Sequence, residues 1–277
     1  MKITGKTVCY PILGHPVDQV CTPPTMNAWF ETNAIDAKMF AMDIPVAAAS
    51  DFFALLKGWA NCGGCSVTLP HKQAAFSAMD DLTERARVAG AVNTVHRQEY
   101  GKLTGDMTDG LAFVAALKFN GVEPKGLSVV LAGAGGGAGA AIAHALCDEA
   151  IAHLFIIEPN RDRKHALEKA VSIRNPQVNL TDTVTQNTRY DIAINASPMG
   201  MQVGDPLPID LSLVKPGGTV ADVVTKPDMT PLLIAARNRG FTIQTGREMA
   251  NAQLEFQMRH FRLWPEKDAT KKEKTPE

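Results

Sequence analysis

The sequence predicts an α/β protein built as two domains, and three observations carry that prediction. The chain has 277 residues, about twice the length of a common single domain. Its second half alternates short apolar runs with helical stretches, the pattern of right-handed βαβ crossovers and a parallel, doubly wound sheet. A glycine-rich turn follows directly on one of those apolar runs, where such a fold turns from strand to helix.

In the first hundred residues, 7–13 and 38–44 read as strands. Thr22-Pro23 reads as a helix start, a hydroxyl cap followed by proline at the first helical position, leading into a helix over 24–32. Residues 52–59 are helical, 66–69 form a strand, and 70–79 form a helix opened by Pro70. Segments 91–97 and 102–105 read as a hairpin around 98–101. In the second half, 127–132 is a strand, followed by the glycines and a helix over 139–149. A strand over 153–158 and a helix over 162–173 come next. Further strands fall at 191–195, 219–224 and 241–245, with a helix over 230–238 between the last two. A terminal helix over 249–264 spaces Met249, Leu254, Phe256, Met258 and Phe261 for packing on a core. Residues 265–277 are lysine-rich with no apolar anchor and read as a disordered tail.

Composition removes several function classes. At 45% hydrophobic and 21% charged residues the chain is globular, not intrinsically disordered. A net charge of −1 argues against a nucleic-acid partner, which needs clustered Lys and Arg, and 6% aromatics are too few for stacking platforms. The five cysteines are scattered, unlike a disulfide framework. Cys62-Gly-Gly-Cys65 stands alone, without a second pair at zinc spacing, so no metal is expected. The N-terminal stretch has no sustained apolar region of a signal peptide. Residues 126–147 carry no charged side chain and are long enough to span a bilayer, but six glycines and His144 argue against a lipid-facing helix. The expectation is a cytoplasmic monomer or homodimer that handles a small molecule, with no membrane partner.

Gly133-Ala134-Gly135-Gly136-Gly137-Ala138 fits G-x-G-x-x-A between a strand and a helix. The first glycine allows the tight turn, and the second lets the backbone approach a pyrophosphate. The helix N-terminus then supplies unpaired N–H groups. Twenty residues after Ala138 the next strand ends at Glu158. A carboxylate there accepts hydrogen bonds from both ribose hydroxyls and repels a 2′-phosphate, which favours NAD over NADP. Arg161 and Arg163 lie just beyond and pull the other way.

Further residues carry a family pattern. Ser66-Val67-Thr68-Leu69-Pro70-His71-Lys72 puts a lysine just past a strand end, and Ala91-Val92-Asn93-Thr94 and Thr108-Asp109-Gly110 follow. Together with the glycine loop, with Asn195-Ala196-Ser197-Pro198-Met199-Gly200-Met201 and with Gln253, these segments resemble the shikimate/quinate dehydrogenase family over about residues 5 to 264. The resemblance implies a substrate-binding catalytic domain over 1–108, completed by the helix at 246–264, and an NAD(P)-binding Rossmann domain over 109–245. It implies an acid–base dyad of Lys72 and Asp109, acting on a ring hydroxyl of a shikimate- or quinate-like hydroxy acid. Taken alone, Lys72 reads as a surface lysine and Asp109 as a helix cap. In the dyad, the lysine takes and returns the hydroxyl proton and the carboxylate orients it. Asn93 and Gln253 map to positions that contact ring hydroxyls. On the cofactor side the resemblance adds Asn160, Ser197, Met199 and Gly246 to the glycine loop and Glu158.

Departures from the family pattern fall at one end of the substrate site and at the position that reads the cofactor ribose. The usual Ser-x-Ser pair that grips a carboxylate is Val20 and Thr22 here. The asparagine of N-V-T is Ser66, with Thr68 kept, and a common tyrosine is Thr225. The Asn-Arg-Thr that often reads the NADP phosphate is Glu158-Pro159-Asn160. A rival reading is a drifted, NAD- and acid-binding sensor of the same fold.

Overall fold

A computed structural model of the chain describes residues 2–181 and 188–265. The first half runs β1 (Val8–Gly14), α1 (Thr22–Thr32), β2 (Ala37–Asp43), α2 (Ala49–Gly58), β3 (Gly64–Val67), α3 (Lys72–Ala78), β4 (Asp81–Leu82), α4 (Glu84–Ala89), β5 (Thr94–Arg97) and β6 (Leu103–Asp106). The second continues α5 (Asp109–Phe119), β7 (Ser128–Ala132), α6 (Gly137–Asp148), β8 (His153–Ile157), α7 (Arg161–Arg174), β9 (Asn179–Thr181), β10 (Tyr190–Asn195), β11 (Val214–Asp222), α8 (Pro231–Asn238), β12 (Thr242–Gln244) and α9 (Gly246–His260).

These elements form two six-stranded sheets. The first has the order β2-β1-β3-β5-β6-β4, with β1 parallel to β2 and β3 and a β5–β6 antiparallel hairpin where the sequence predicts one. The second has the order β12-β11-β10-β7-β8-β9 and its paired strands are parallel throughout. The chain moves outward from β7 to β9, then returns beside β7 and moves outward the other way. That reversal leaves a crevice at the carboxyl ends of β7 and β10, where doubly wound sheets bind ligands. Alternation along β7 explains its two covered faces. Val129 and Leu131 meet α5, α6 and α7 on one side, while Val130 and Ala132 join the core under α8 on the other.

After the second sheet, α9 returns to the first. Met258 and Phe261 join Tyr10, Met26, Phe30 and Met39 in one buried cluster, and the Tyr10 and Phe261 ring centroids are 4.8 Å apart. The helix starts with a capping box, Thr245 accepting from Glu248 N while the Glu248 side chain accepts from Thr245 N.

Several local expectations are corrected. Thr22 is not a cap but the first residue of α1. Cys21 holds the cap position without a side-chain bond, because Pro23 and Pro24 have no N–H to offer. Pro70 does not open α3; Leu69–His71 form a turn with a cis Leu69–Pro70 bond, and the helix begins at Lys72. The strand expected at 219–224 starts earlier, as β11. Residues 126–147 divide into β7 and α6, and among the described residues no helix is long and apolar enough to cross a membrane. The tail expected over 265–277 lies, past Pro265, outside the described residues. All five cysteines are free. Cys62 and Cys65 are buried, and burial pushes the Cys62 thiol up to about 12.

Candidate active site

Between the two sheets lies a cleft of about 510 Å³, walled by the ends of β1, β3, β7, β8, β10 and β11 and by α9. Lys72, the first residue of α3, reaches into it with 14% of its side chain exposed, and its Nζ donates to Asp109 Oδ2 at 2.5 Å. Asp109 opens α5 and is only 1% exposed. Its other oxygen accepts from Asn93 Nδ2 at 2.7 Å and from Gln253 Nε2 at 2.9 Å. A carboxylate this buried keeps its charge only when donors surround it, and here three side chains do so at a helix N-terminus. Asp109 is therefore not a cap: Thr108 holds that position, and Asp109, the first residue of α5, spends its oxygens across the cleft. Asn93 is itself fixed, its Oδ1 accepting from Thr108 N at 2.9 Å.

Gln257, which the sequence reading passed over, extends this network. It accepts from Ser66 Oγ at 2.8 Å and donates to Gln253 Oε1 at 2.8 Å. Its spacing of four residues from Gln253 puts both amides on one helix face, a signal visible in the sequence once Gln253 is singled out. His71 and His15 stay outside the cleft as supporting contacts: His71 Nε2 lies 2.6 Å from Ile44 O, and His15 Nδ1 lies 2.6 Å from Asp43 Oδ1.

The opposite wall is the glycine loop. Gly133 has φ +74°, and a Cβ there would come within 2.6 Å of Ser197 N. Gly139, one position past the fingerprint, lets α6 close on the loop, since a Cβ would lie 2.2 Å from Gly133 O. Gly136 holds the cap position of α6, so the first helical N–H groups open onto a cleft lined by Gly133, Gly136, Gly137 and Ala138. A Cβ at Gly137 would be 3.6 Å from Lys72 Cδ, which puts the loop against the lysine.

Glu158 follows β8 and lines the cleft, accepting from Gly135 N at 2.8 Å and Asn160 N at 3.0 Å. Arg163 lines the cleft beside it; Arg161 does not. Three expected cofactor residues are not brought to the cleft lining. Ala134 is buried in the core, and Asn160 caps α7 by accepting from Arg163 N. Gly135 also stays off the lining and meets the site through its N–H. Ser197, Met199 and Gly246 do line it. The Ser197–Met199 turn hangs on Asn195, which accepts from Ser197 N and donates to Met199 O at 2.9 Å. Asn195 in turn donates to Asp222 at 3.0 Å, a carboxyl that burial pushes up to about 6. Asp222 is a second residue the sequence reading missed. Val20, Thr22, Ser66, Thr68 and Thr225 all line the remaining wall.

These features fit a dinucleotide: a loop without Cβ atoms at its closest approaches, open N–H groups at a helix start, and a carboxylate where the next strand ends. Residues 12–95 match the family model of the shikimate dehydrogenase substrate binding domain. A shikimate dehydrogenase (NADP(+)) of Rubrobacter xylanophilus is 35% identical over 254 residues, covering 90% of this chain and 88% of its own. The chain belongs to the shikimate dehydrogenase family. Solved structures place this family member among dehydrogenases and reductases of more than one substrate. The quinate dehydrogenase of Corynebacterium glutamicum, in complex with NAD, matches at TM-score 0.79 and 28% identity, covering 92% of this chain and 93% of its own. The 5-ketofructose reductase of Gluconobacter sp. strain CHM43 matches at TM-score 0.80 and 27% identity, covering 93% and 94%.

Proposed function

We propose that the protein is an NAD-preferring dehydrogenase acting on a ring hydroxyl of a small polyhydroxylated compound of the shikimate or quinate type. The observation that carries this reading is the 2.5 Å contact of Lys72 with Asp109 in a cleft whose facing wall is the glycine loop. On oxidation, neutral Lys72 Nζ takes the substrate hydroxyl proton, and on reduction it returns that proton. Asp109 holds the amine in place, and Asn93 and Gln253, already aligned on Asp109, hold the neighbouring hydroxyls. The glycine loop and the start of α6 hold the pyrophosphate, and Glu158 holds the adenosine ribose. A bound dinucleotide supplies the hydride acceptor. The catalytic unit comprises 1–108 with 246–264, and the dinucleotide unit 109–245.

The curated relative is named for NADP(+), whereas Glu158 supports NAD in this chain. Lys72→Ala tests the dyad. Turnover should fall by roughly 10² or more, the contribution of a positioned acid–base group, with NAD affinity little changed. Near-normal kcat in that variant sinks the assignment. An unmutated protein that binds NAD and a ring acid yet turns over neither cofactor would instead be a sensor.

A further inference from the structure

We infer that the substrate wall of the cleft is built to hold a neutral, hydroxylated group and not a carboxylate; the inference rests on the dehydrogenase reading above. Two observations carry it. Among the described residues, the ionisable side chains Lys72, Asp109, Glu158 and Arg163 account for all the charge lining the cleft, and they sum to zero. Lys72 is taken by Asp109, and Arg163 stands beside Glu158 at the glycine loop. The wall made by 19–22, 66 and 225 thus has no cation to offset the desolvation of an anion.

The second observation concerns where the hydroxyl protons point. Val20 has no donor. Ser66 Oγ spends its one proton on Gln257 Oε1, and Thr225 Oγ1 spends its own on Gln19 O at 3.1 Å. Both oxygens therefore meet a ligand as acceptors only. Rotating Ser66 would strand Gln257 Oε1 on a residue that is 2% exposed. A carboxylate is an acceptor as well, so it would face lone pairs at Ser66 and Thr225 and find hydroxyl protons only on Thr22 and Thr68. A ligand hydroxyl supplies the missing proton and can accept in turn from Thr22. The substrate class is then a neutral polyol or hydroxyketone.

The test is the binding of shikimate and of its analogue with a hydroxymethyl group in place of the carboxylate, titrated calorimetrically into the full chain with NADH present. The analogue should bind at least as tightly, with a gap of about tenfold expected from one well-placed hydrogen bond. Val20→Ser should narrow that gap by improving shikimate several-fold. Tighter binding of shikimate by the unmutated protein overturns the inference, as does failure of both to bind at about 10 mM. Turnover is scored separately: an analogue that binds more tightly but is never oxidised with NAD or NADP leaves this inference standing and removes the dehydrogenase reading.

Discussion

A carboxylate at Asp109 and another at Glu158 show how differently one chemical group is used within a single cleft. Asp109 is enclosed by Lys72, Asn93 and Gln253, which fill three of its four lone-pair sites. Glu158 gives one oxygen to Gly135 N and the other to Asn160 N, and keeps capacity on both for a ligand. A 2′-phosphate at that position would meet a like charge, and two unit charges about 4 Å apart repel by about 4 kcal/mol at an effective dielectric near 20. Arg163 offsets part of this. The expected outcome is a preference for NAD on the order of 10²-fold in kcat/KM, smaller at high salt. Glu158→Asn should erase most of it by improving NADP and weakening NAD, as steady-state kinetics with both cofactors will show. Glu158 was legible because a strand end and a spacing point to it. Lys72 and Asp109 were not legible by residue type, since they lie 37 residues apart and meet only through tertiary structure.

Among the elements, the β7–α6 junction leaves no room for a side chain. A Cβ on Gly139 would press on Gly133 O at 2.2 Å and Ala134 Cα at 2.7 Å, both backbone, so neither can rotate away. Gly139→Ala should therefore lift α6 from the loop. Overpacking of this kind costs typically 1–3 kcal/mol, and a lowered urea midpoint together with weaker NAD binding will reveal it. Loss of stability with unchanged NAD affinity would mean that the loop does not depend on the helix seat. The junction was readable because glycines, a buried apolar run and a small-residue helix all agree. By contrast β4 and β9 span two and three residues, too short for any periodicity to register. Helix α5 showed only its start, at Asp109, for another reason: it is covered nearly all round by α6, α9 and the second sheet, so it carries no polar stripe to mark its extent.

At the scale of the molecule, folding stability couples to pH through His144 on α6. It is 6% exposed, both ring nitrogens lack a hydrogen-bond partner among the described residues, and burial, helped by Arg174, pushes its pKa down to about 4. A depressed folded value means that stability is whole above the unfolded pKa of 6.5 and drains away as pH falls towards 4. Relative to His144→Leu, the unmutated protein should lose up to about 3 kcal/mol between those limits, at 1.36 kcal/mol per unit. Asp222 titrates with the opposite sign in an overlapping range, so the difference between the two proteins, not either curve alone, is the quantity to measure by denaturant melts. Parallel curves would show that His144 is solvated when the chain is folded. The two-sheet plan itself was readable from alternation and length. The cleft was not, because it belongs to neither sheet and is made by how they face each other.

The route of the chain through that plan has a consequence for synthesis. The cluster of Tyr10, Met26, Phe30 and Met39 is closed by Met258 and Phe261, and Asp109 receives one of its three side-chain donors from Gln253. A polypeptide growing from its N-terminus therefore makes the first sheet early but cannot seal it until the whole second sheet has emerged. For most of translation, an aromatic surface and an Asp109 lacking one of its donors wait uncovered. A nascent chain halted before Gly246 should bind a hydrophobic dye and engage holding chaperones, and one extended past Trp264 should not.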